Sequence, residues 1–237
     1  MASYRILKPT KHKTRADKAA ACTCHVYTIN GDASGFHLLL HPSPSQSKEC
    51  SSTHFTGTAV RGRRASLSCL VTAAHVLPSP EDAERTLVSF DDYHECKEPL
   101  RAFLLEPDRL FVTNRSMDVT ICAFEQRVVD VPSPPIYTRD DWVGPNVATI
   151  SHPRGRAKTR SHGTVSMMTF NGRLFYTAQG DKGCSGGPIF DAKSWKVIGI
   201  ETGENDVVLP RSVFTLSEGQ RLEPILQELA VRGYVVD

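Results

Sequence analysis

The sequence predicts an all-β protein of two lobes, finished by one short helix. Three observations predict it. Short apolar runs rich in Val, Ile, Leu and Phe recur between turn residues. The proline-rich stretch Val128-Val129-Asp130-Val131-Pro132-Ser133-Pro134-Pro135 is a stiff connector. Helical spacing of apolar residues occurs only near the end, at Leu222, Ile225, Leu226, Leu229 and Ala230. A length of 237 residues suits one all-β unit. An apolar content of 40% is enough for a core and too high for a disordered chain.

The elements follow in order. Residues 1–20 carry Arg5, Lys8, Lys11, Lys13, Arg15 and Lys18 against one acid, Asp17, and are expected to form a basic, flexible arm. Val26–Ile29 reads as a strand, Asn30-Gly31 as a hairpin turn and Phe36–Leu40 as the returning strand. Pro42–Ser47 is a polar loop, and Arg61-Gly62-Arg63-Arg64 a charged hairpin tip. Leu67–Val71 is an apolar strand that runs out through Thr72-Ala73-Ala74 to His75. Val119–Phe124 is another, headed by Asp118. Arg173–Thr177 leads to the loop Gly183-Cys184-Ser185-Gly186-Gly187-Pro188, and Val197–Ile200 is a further strand. The terminal helix has Pro224 in its first turn and Gly233 past its end. The expected division is an arm over 1–20, a lobe over 21–131 and a second lobe over 132–237.

Glycines around Ser185 allow a tight turn and close approach of a ligand to the backbone. The amides of Gly183 and Ser185 could converge beside the Ser185 hydroxyl and hold a developing oxyanion. A serine hydroxyl becomes a nucleophile when a histidine takes its proton, and a carboxylate must then fix the histidine tautomer. His75 and Asp118, each at the rim of an apolar strand, fit those two roles. The catalytic candidates are therefore His75, Asp118 and Ser185, with Gly183 and Ser185 as the oxyanion hole.

With these residues in the order His, Asp, Ser, the chain resembles the chymotrypsin-like serine proteases. His54-Phe55-Thr56-Gly57-Thr58-Ala59-Val60 is similar to the strand that precedes the histidine strand in that family. Val143–Gly155 resembles a hairpin of the high-temperature-requirement branch, Gly163–Ser166 the strand after it, and Val197–Gly203 the strand along which substrate pairs. The resemblance implies two six-stranded antiparallel β-barrels with a closing helix, and proteolysis through an acyl-enzyme with no metal or cofactor. It implies a protein or peptide as substrate. It also places Gln179, Gly180, Gly199, Glu201, Thr202 and Gly203 around the primary pocket. An acid at Glu201 would favour a basic side chain there, unless it points to solvent or pairs with Lys182.

Departures from the pattern are informative. Cys184 stands where digestive relatives carry an aspartate that pairs with a freed N-terminus, and no cysteine follows His75. The resemblance is to bacterial, organellar or viral enzymes that need no such activation, and no peptide-binding second domain fits after the terminal helix. Cysteine can replace serine as nucleophile in viral relatives. The glycine pair, however, follows Ser185 and assigns the nucleophilic place to it, leaving Cys184 as a small buried hydrophobe. His152 and His162 read as ordinary loop residues.

The remaining features narrow the class. A net charge of +2 argues against nucleic acid as an obligatory partner. No stretch approaches the roughly 18 apolar residues of a membrane span. Seven cysteines, an odd number without a secretory segment, predict reduced thiols and an intracellular, cytoplasmic setting. Cys22, Cys24, His25, Cys50 and His54 could be assembled into a zinc set, but their irregular spacing leads us to expect no metal. A catalytically inactive protease fold that binds peptides or acts as an adaptor is the alternative reading of function.

Overall fold

The computed structural model describes residues 5–6, 14–43, 66–91, 101–137, 144–209 and 212–236. The first half of the chain carries β1 (Arg5–Ile6), α1 (Arg15–Cys22), β2 (Thr23–Thr28), β3 (Gly31–Pro42), β4 (Leu67–Thr72), α2 (Pro80–Glu84), β5 (Leu87–Ser89), β6 (Phe103–Leu104), β7 (Phe111–Asn114) and β8 (Val119–Ala123) in chain order. The second contains β9 (Asn146–Ser151), β10 (Thr159–Met168), β11 (Arg173–Tyr176), β12 (Pro188–Asp191), β13 (Val197–Leu209), β14 (Ser212–Arg221), α3 (Glu223–Val231) and β15 (Tyr234–Val235).

The second lobe closes on itself. Its strands run β9-β10-β11-β14-β13-β12 and back to β9, a six-stranded antiparallel barrel as expected. The first lobe is a curled sheet in the order β6-β5-β2-β3-β4-β8-β7. Its ladders form a half-barrel, and one antiparallel bridge, Leu105 to Phe124, joins its two sides among the described residues. Strands buried on both sides explain why β4 and β8 read as unbroken apolar runs: Cys69, Leu70, Val71, Ile121, Cys122 and Ala123 are all buried. Gly35 lets β3 lie tightly on β4, because a Cβ there would meet the Val71 carbonyl at 2.8 Å.

Three boundaries differ from the sequence expectation. Residues 15–20 are not a solvated arm but most of α1, whose first turn is fixed by a capping box. The Asp17 amide donates to Thr14 Oγ1 at 3.1 Å, and the Thr14 amide donates to Asp17 Oδ2 at 2.9 Å. Ala19 and Cys22 anchor this helix in the core, while Arg15 and Lys18 stay exposed. The tail also leaves its expected lobe. Ile225 and Leu229 of α3 pack in a cluster with Phe36, Leu38 and Leu40 of β3, and β15 pairs with β3. At the other end β1 pairs with β10, so each end of the chain ties onto the opposite lobe. The connector runs beside β3, where the Leu39 amide donates to Ser133 Oγ at 3.0 Å. No helix among the described residues is long and apolar enough to cross a membrane.

Candidate active site

His75 sits just past the end of β4, on a turn in which the Val76 and Leu77 amides both donate to the Ala73 carbonyl. Asp118 lies just before β8 on the neighbouring strand. The register Thr72 opposite Thr120 brings the two ends together. Asp118 Oδ2 stands 2.7 Å from His75 Nδ1, and Oδ1 accepts the His75 backbone amide at 2.8 Å. An ionised carboxylate only accepts, so the imidazole proton sits on Nδ1 and the Nε2 lone pair is free. The imidazole is half exposed and the carboxylate less so, at 49% and 28% of side-chain surface.

Ser185 lies in the loop between β11 (Arg173–Tyr176) and β12 (Pro188–Asp191). Four successive carbonyls of that loop are held. Lys182 O accepts from the Arg154 amide at 2.5 Å, Gly183 O from Ser34 Oγ at 2.7 Å, Cys184 O from the Gly187 amide at 2.9 Å, and Ser185 O from the Ser34 amide at 2.9 Å. The amides of Cys184 and Gly186 are also taken, by Asp181 O and Glu201 O. Among the described residues, no acceptor takes the amides of Gly183 or Ser185. Positive φ at Gly183 (88°) and Gly186 (82°) produces this alternation, in which successive N–H groups can line a nest. Gly186 also seats the loop on the histidine strand: a Cβ there would meet Thr72 Oγ1 at 2.1 Å and the Ala73 amide at 2.8 Å. The loop bearing Gly183 and Ser185 is thus seated on the strand whose end carries His75.

Cys184 faces the interior. It is buried, Ser151 Oγ donates to its sulfur at 3.1 Å, and burial pushes its thiol far above the ordinary range. Glu201 shares the same interior and is only 3% exposed, so it neither points to solvent nor pairs with Lys182. Around it stand the hydroxyls of Thr149 and Tyr176 and the Cys184 thiol, and burial pushes its carboxyl up to about 8. The surrounding groups do not close well-formed bonds with all of it, since Glu201 Oε2 and the Thr149 and Tyr176 hydroxyls have no hydrogen-bond partner. Burial thus favours the protonated form of this carboxyl, which weakens the charge argument for a basic side chain in the pocket.

The other pocket candidates separate. Gly199 is paired on both sides, with Ile189 and Arg221, and a Cβ there would meet Gln220 O at 2.4 Å. It is a packing glycine, with no backbone group left for substrate. Past Ile200, β12 has ended, and no described strand covers that edge of β13. Thr202 and Gly203 lie there, at a bulge in the β13–β14 register. Gly180 faces Ser217 and Glu204, and Gln179 is exposed beside it.

Sequence reasoning missed the elements that support the loop. Ser34 lies in β3, which pairs with the histidine strand β4; His54–Val60, expected to precede the histidine strand, lies outside the described residues. His152 is not an ordinary loop residue. It is buried, its amide donates to Ser34 Oγ at 2.8 Å, and its ring stacks on His25 at 4.7 Å. Desolvation holds His152 well below the usual histidine range. The one local signal was Pro153-Arg154-Gly155, a tight turn with Arg154 at φ 54°. The residues considered for zinc are otherwise engaged where described: the Cys22 thiol donates to Ala19 O, and His25 Nε2 pairs with Asp32. Cys50 and His54 lie outside the described residues. The five described cysteines are free and buried.

Two β lobes, one carrying a histidine–aspartate pair and the other a glycine-framed serine, define the chymotrypsin-like class of fold. This chain belongs to the trypsin-like peptidase family: the family model described as trypsin-like peptidase domain matches residues 55–200. Among solved structures it is similar to the serine endoprotease from Yersinia pestis, with 19% identity and a TM-score of 0.60, covering 95% of this chain and 68% of that one. It is also similar to the inactive form of the Rv3671c protease from M. tuberculosis, with 15% identity and a TM-score of 0.57, covering 97% of this chain and 99% of that one. A Ser343Ala mutant of Rv3671c from M. tuberculosis H37Rv gives the same TM-score and identity, over 97% of this chain and 96% of that one. No curated protein sequence matches this chain.

Proposed function

We propose that this chain is a serine endopeptidase acting through His75, Asp118 and Ser185. His75 Nε2 takes the Ser185 proton as Oγ bonds to the peptide carbonyl carbon, and Asp118 stabilises the imidazolium. The amides of Gly183 and Ser185 hold the resulting oxyanion. The C–N bond breaks as His75 protonates the leaving amine, which leaves an acyl-enzyme. Water, losing its proton to His75, then hydrolyses that ester and restores Ser185. The substrate is a protein or peptide, laid as an added strand on the open edge of β13 at Thr202 and Gly203. Gln179 and Gly180 line the opposite wall of the pocket, with Glu201 buried at its base as a neutral carboxyl.

The observation that carries this reading is the Asp118–His75 pair, which puts the proton on Nδ1 and frees Nε2 as a base. Family membership and the two unpaired amides support it. A fluorophosphonate probe tests it, applied to the wild type, Ser185→Ala and His75→Ala, with the labelled residue found by mass spectrometry. Labelling at Ser185 that disappears in both variants is expected. A folded wild type that takes no label would sink the enzyme reading in favour of a peptide-binding protein.

A further inference from the structure

We infer that Ser34 is a positioning residue for the oxyanion hole, setting the direction of the Gly183 amide from the opposite lobe through the turn Pro153–Gly155. The inference rests on the assignment of Ser185 as nucleophile and of the Gly183 and Ser185 amides as the hole.

A trans peptide is planar, so its carbonyl and the next residue's N–H point in opposite directions. Whatever holds the carbonyl therefore aims the N–H. For the Gly183 amide that carbonyl is Lys182 O, held by the Arg154 amide at 2.5 Å. For the Ser185 amide it is Cys184 O, held by Gly187. Glycine at 183 resists neither orientation of the preceding peptide, so the direction must come from outside the loop.

Ser34 is where the outside support converges. Its backbone amide donates to Ser185 O at 2.9 Å and its hydroxyl donates to Gly183 O at 2.7 Å. The same hydroxyl accepts the His152 amide at 2.8 Å. That amide opens the turn Pro153–Gly155, whose Arg154 amide holds Lys182 O. One buried hydroxyl thus joins the loop that bears the hole to the turn that orients it. Ser34 itself is fixed, because Thr72 Oγ1 donates to Ser34 O at 2.8 Å from the histidine strand. A second tie on the far side joins Arg154 Nε to Asp181 Oδ2 at 2.8 Å. Removing the Ser34 hydroxyl leaves Gly183 O and the His152 amide unpaired in a buried place. The turn is then held less firmly against the loop, and the Lys182–Gly183 peptide that it orients can rotate the Gly183 N–H out of the hole.

A serine that only packs β3 would affect how much protein folds. A serine that aims the hole affects the chemical step. Fluorophosphonate inactivation separates the two, because its phosphoryl oxygen uses the hole while its saturation constant reports initial binding. We would measure kinact, KI and final labelling stoichiometry for the wild type, Ser34→Ala and Ser34→Cys. The expected result is a kinact lowered about 10- to 100-fold in Ser34→Ala, at unchanged stoichiometry and with KI within about threefold. Ser34→Cys, which keeps the size and a weak donor, should fall between the two. It also answers the question if the alanine variant does not fold. A folded variant with wild-type kinact, or a loss confined to KI or to stoichiometry, overturns the inference while leaving the peptidase reading intact. A folded wild type that takes no label removes the peptidase reading and this inference with it.

Discussion

Asp118 holds His75 at two points, taking the backbone amide on Oδ1 and facing Nδ1 with Oδ2. The double contact fixes both where the ring stands and how it is turned. Asp118 reaches it from a left-handed backbone, with φ of 55°, which aspartate and asparagine adopt more readily than most residues. The side chain, its conformation and its charge are therefore selected together. That coupling makes the site sensitive to substitutions that preserve shape.

Asp118→Asn is the sharpest of these. Asparagine also accepts the left-handed conformation, so the fold is kept. With its oxygen on the His75 amide, its NH2 group must donate to Nδ1, which moves the ring proton to Nε2 and removes the base. Turnover or probe labelling at neutral pH should fall about 10³- to 10⁴-fold, with thermal stability little changed. A variant within about tenfold of wild type would show that Asp118 does not set the tautomer.

Gly186→Ala tests the seating of the loop. A Cβ there would lie 2.1 Å from Thr72 Oγ1 on a backbone at φ 82°, so both the contact and the conformation are unfavourable. A loss of about 2–3 kcal/mol is expected. For a chain of this size that lowers Tm by about 4 to 12 °C. Gly203→Ala, whose Cβ would meet nothing within 4 Å, should leave Tm within about 2 °C. Equal melting of the two variants would contradict the packing described.

Glu201 makes stability depend on pH. Its carboxyl is raised from 4.5 to about 8 by burial, so the folded chain keeps a proton that the unfolded chain loses. Its contribution is fully present below 4.5 and is lost as pH rises through about 8. The slope across that window is at most about 1.4 kcal/mol per pH unit for one proton. Glu201→Gln cannot ionise and should flatten the decline, so the variant gains on the wild type from pH 5 to 8 in denaturant titrations. A constant difference between the two across that range would mean that Glu201 is ionised in the folded protein.

The most legible parts were those with a local cause. β4 and β8 were readable because strands buried on both faces are apolar throughout, and α3 because Pro224 and Gly233 bracket its apolar spacing. The hairpin of β2 and β3 followed from its turn residues. Helix α1 was missed although Thr14 and Asp17 spell a capping box, because six basic residues among the first twenty drew attention to solvent rather than to Ala19 and Cys22. β14 was not legible because its long ladder with β13 sustains residues of mixed polarity, which leaves no clean apolar alternation.

The same division holds at the site. Sequence by itself determined the β class, the order of His75, Asp118 and Ser185, and the need for glycine around the serine, since each depends on residue type and near neighbours. Tertiary structure alone decided the rest. It turned Gly199 into the sheet, buried Glu201 where its charged form is disfavoured, and brought Gly183 and His152 to the Ser34 hydroxyl of the other lobe. Charge state and hydrogen-bond partnership depend on what surrounds an atom in space. A serine in a strand carries no mark of the carbonyl it will meet.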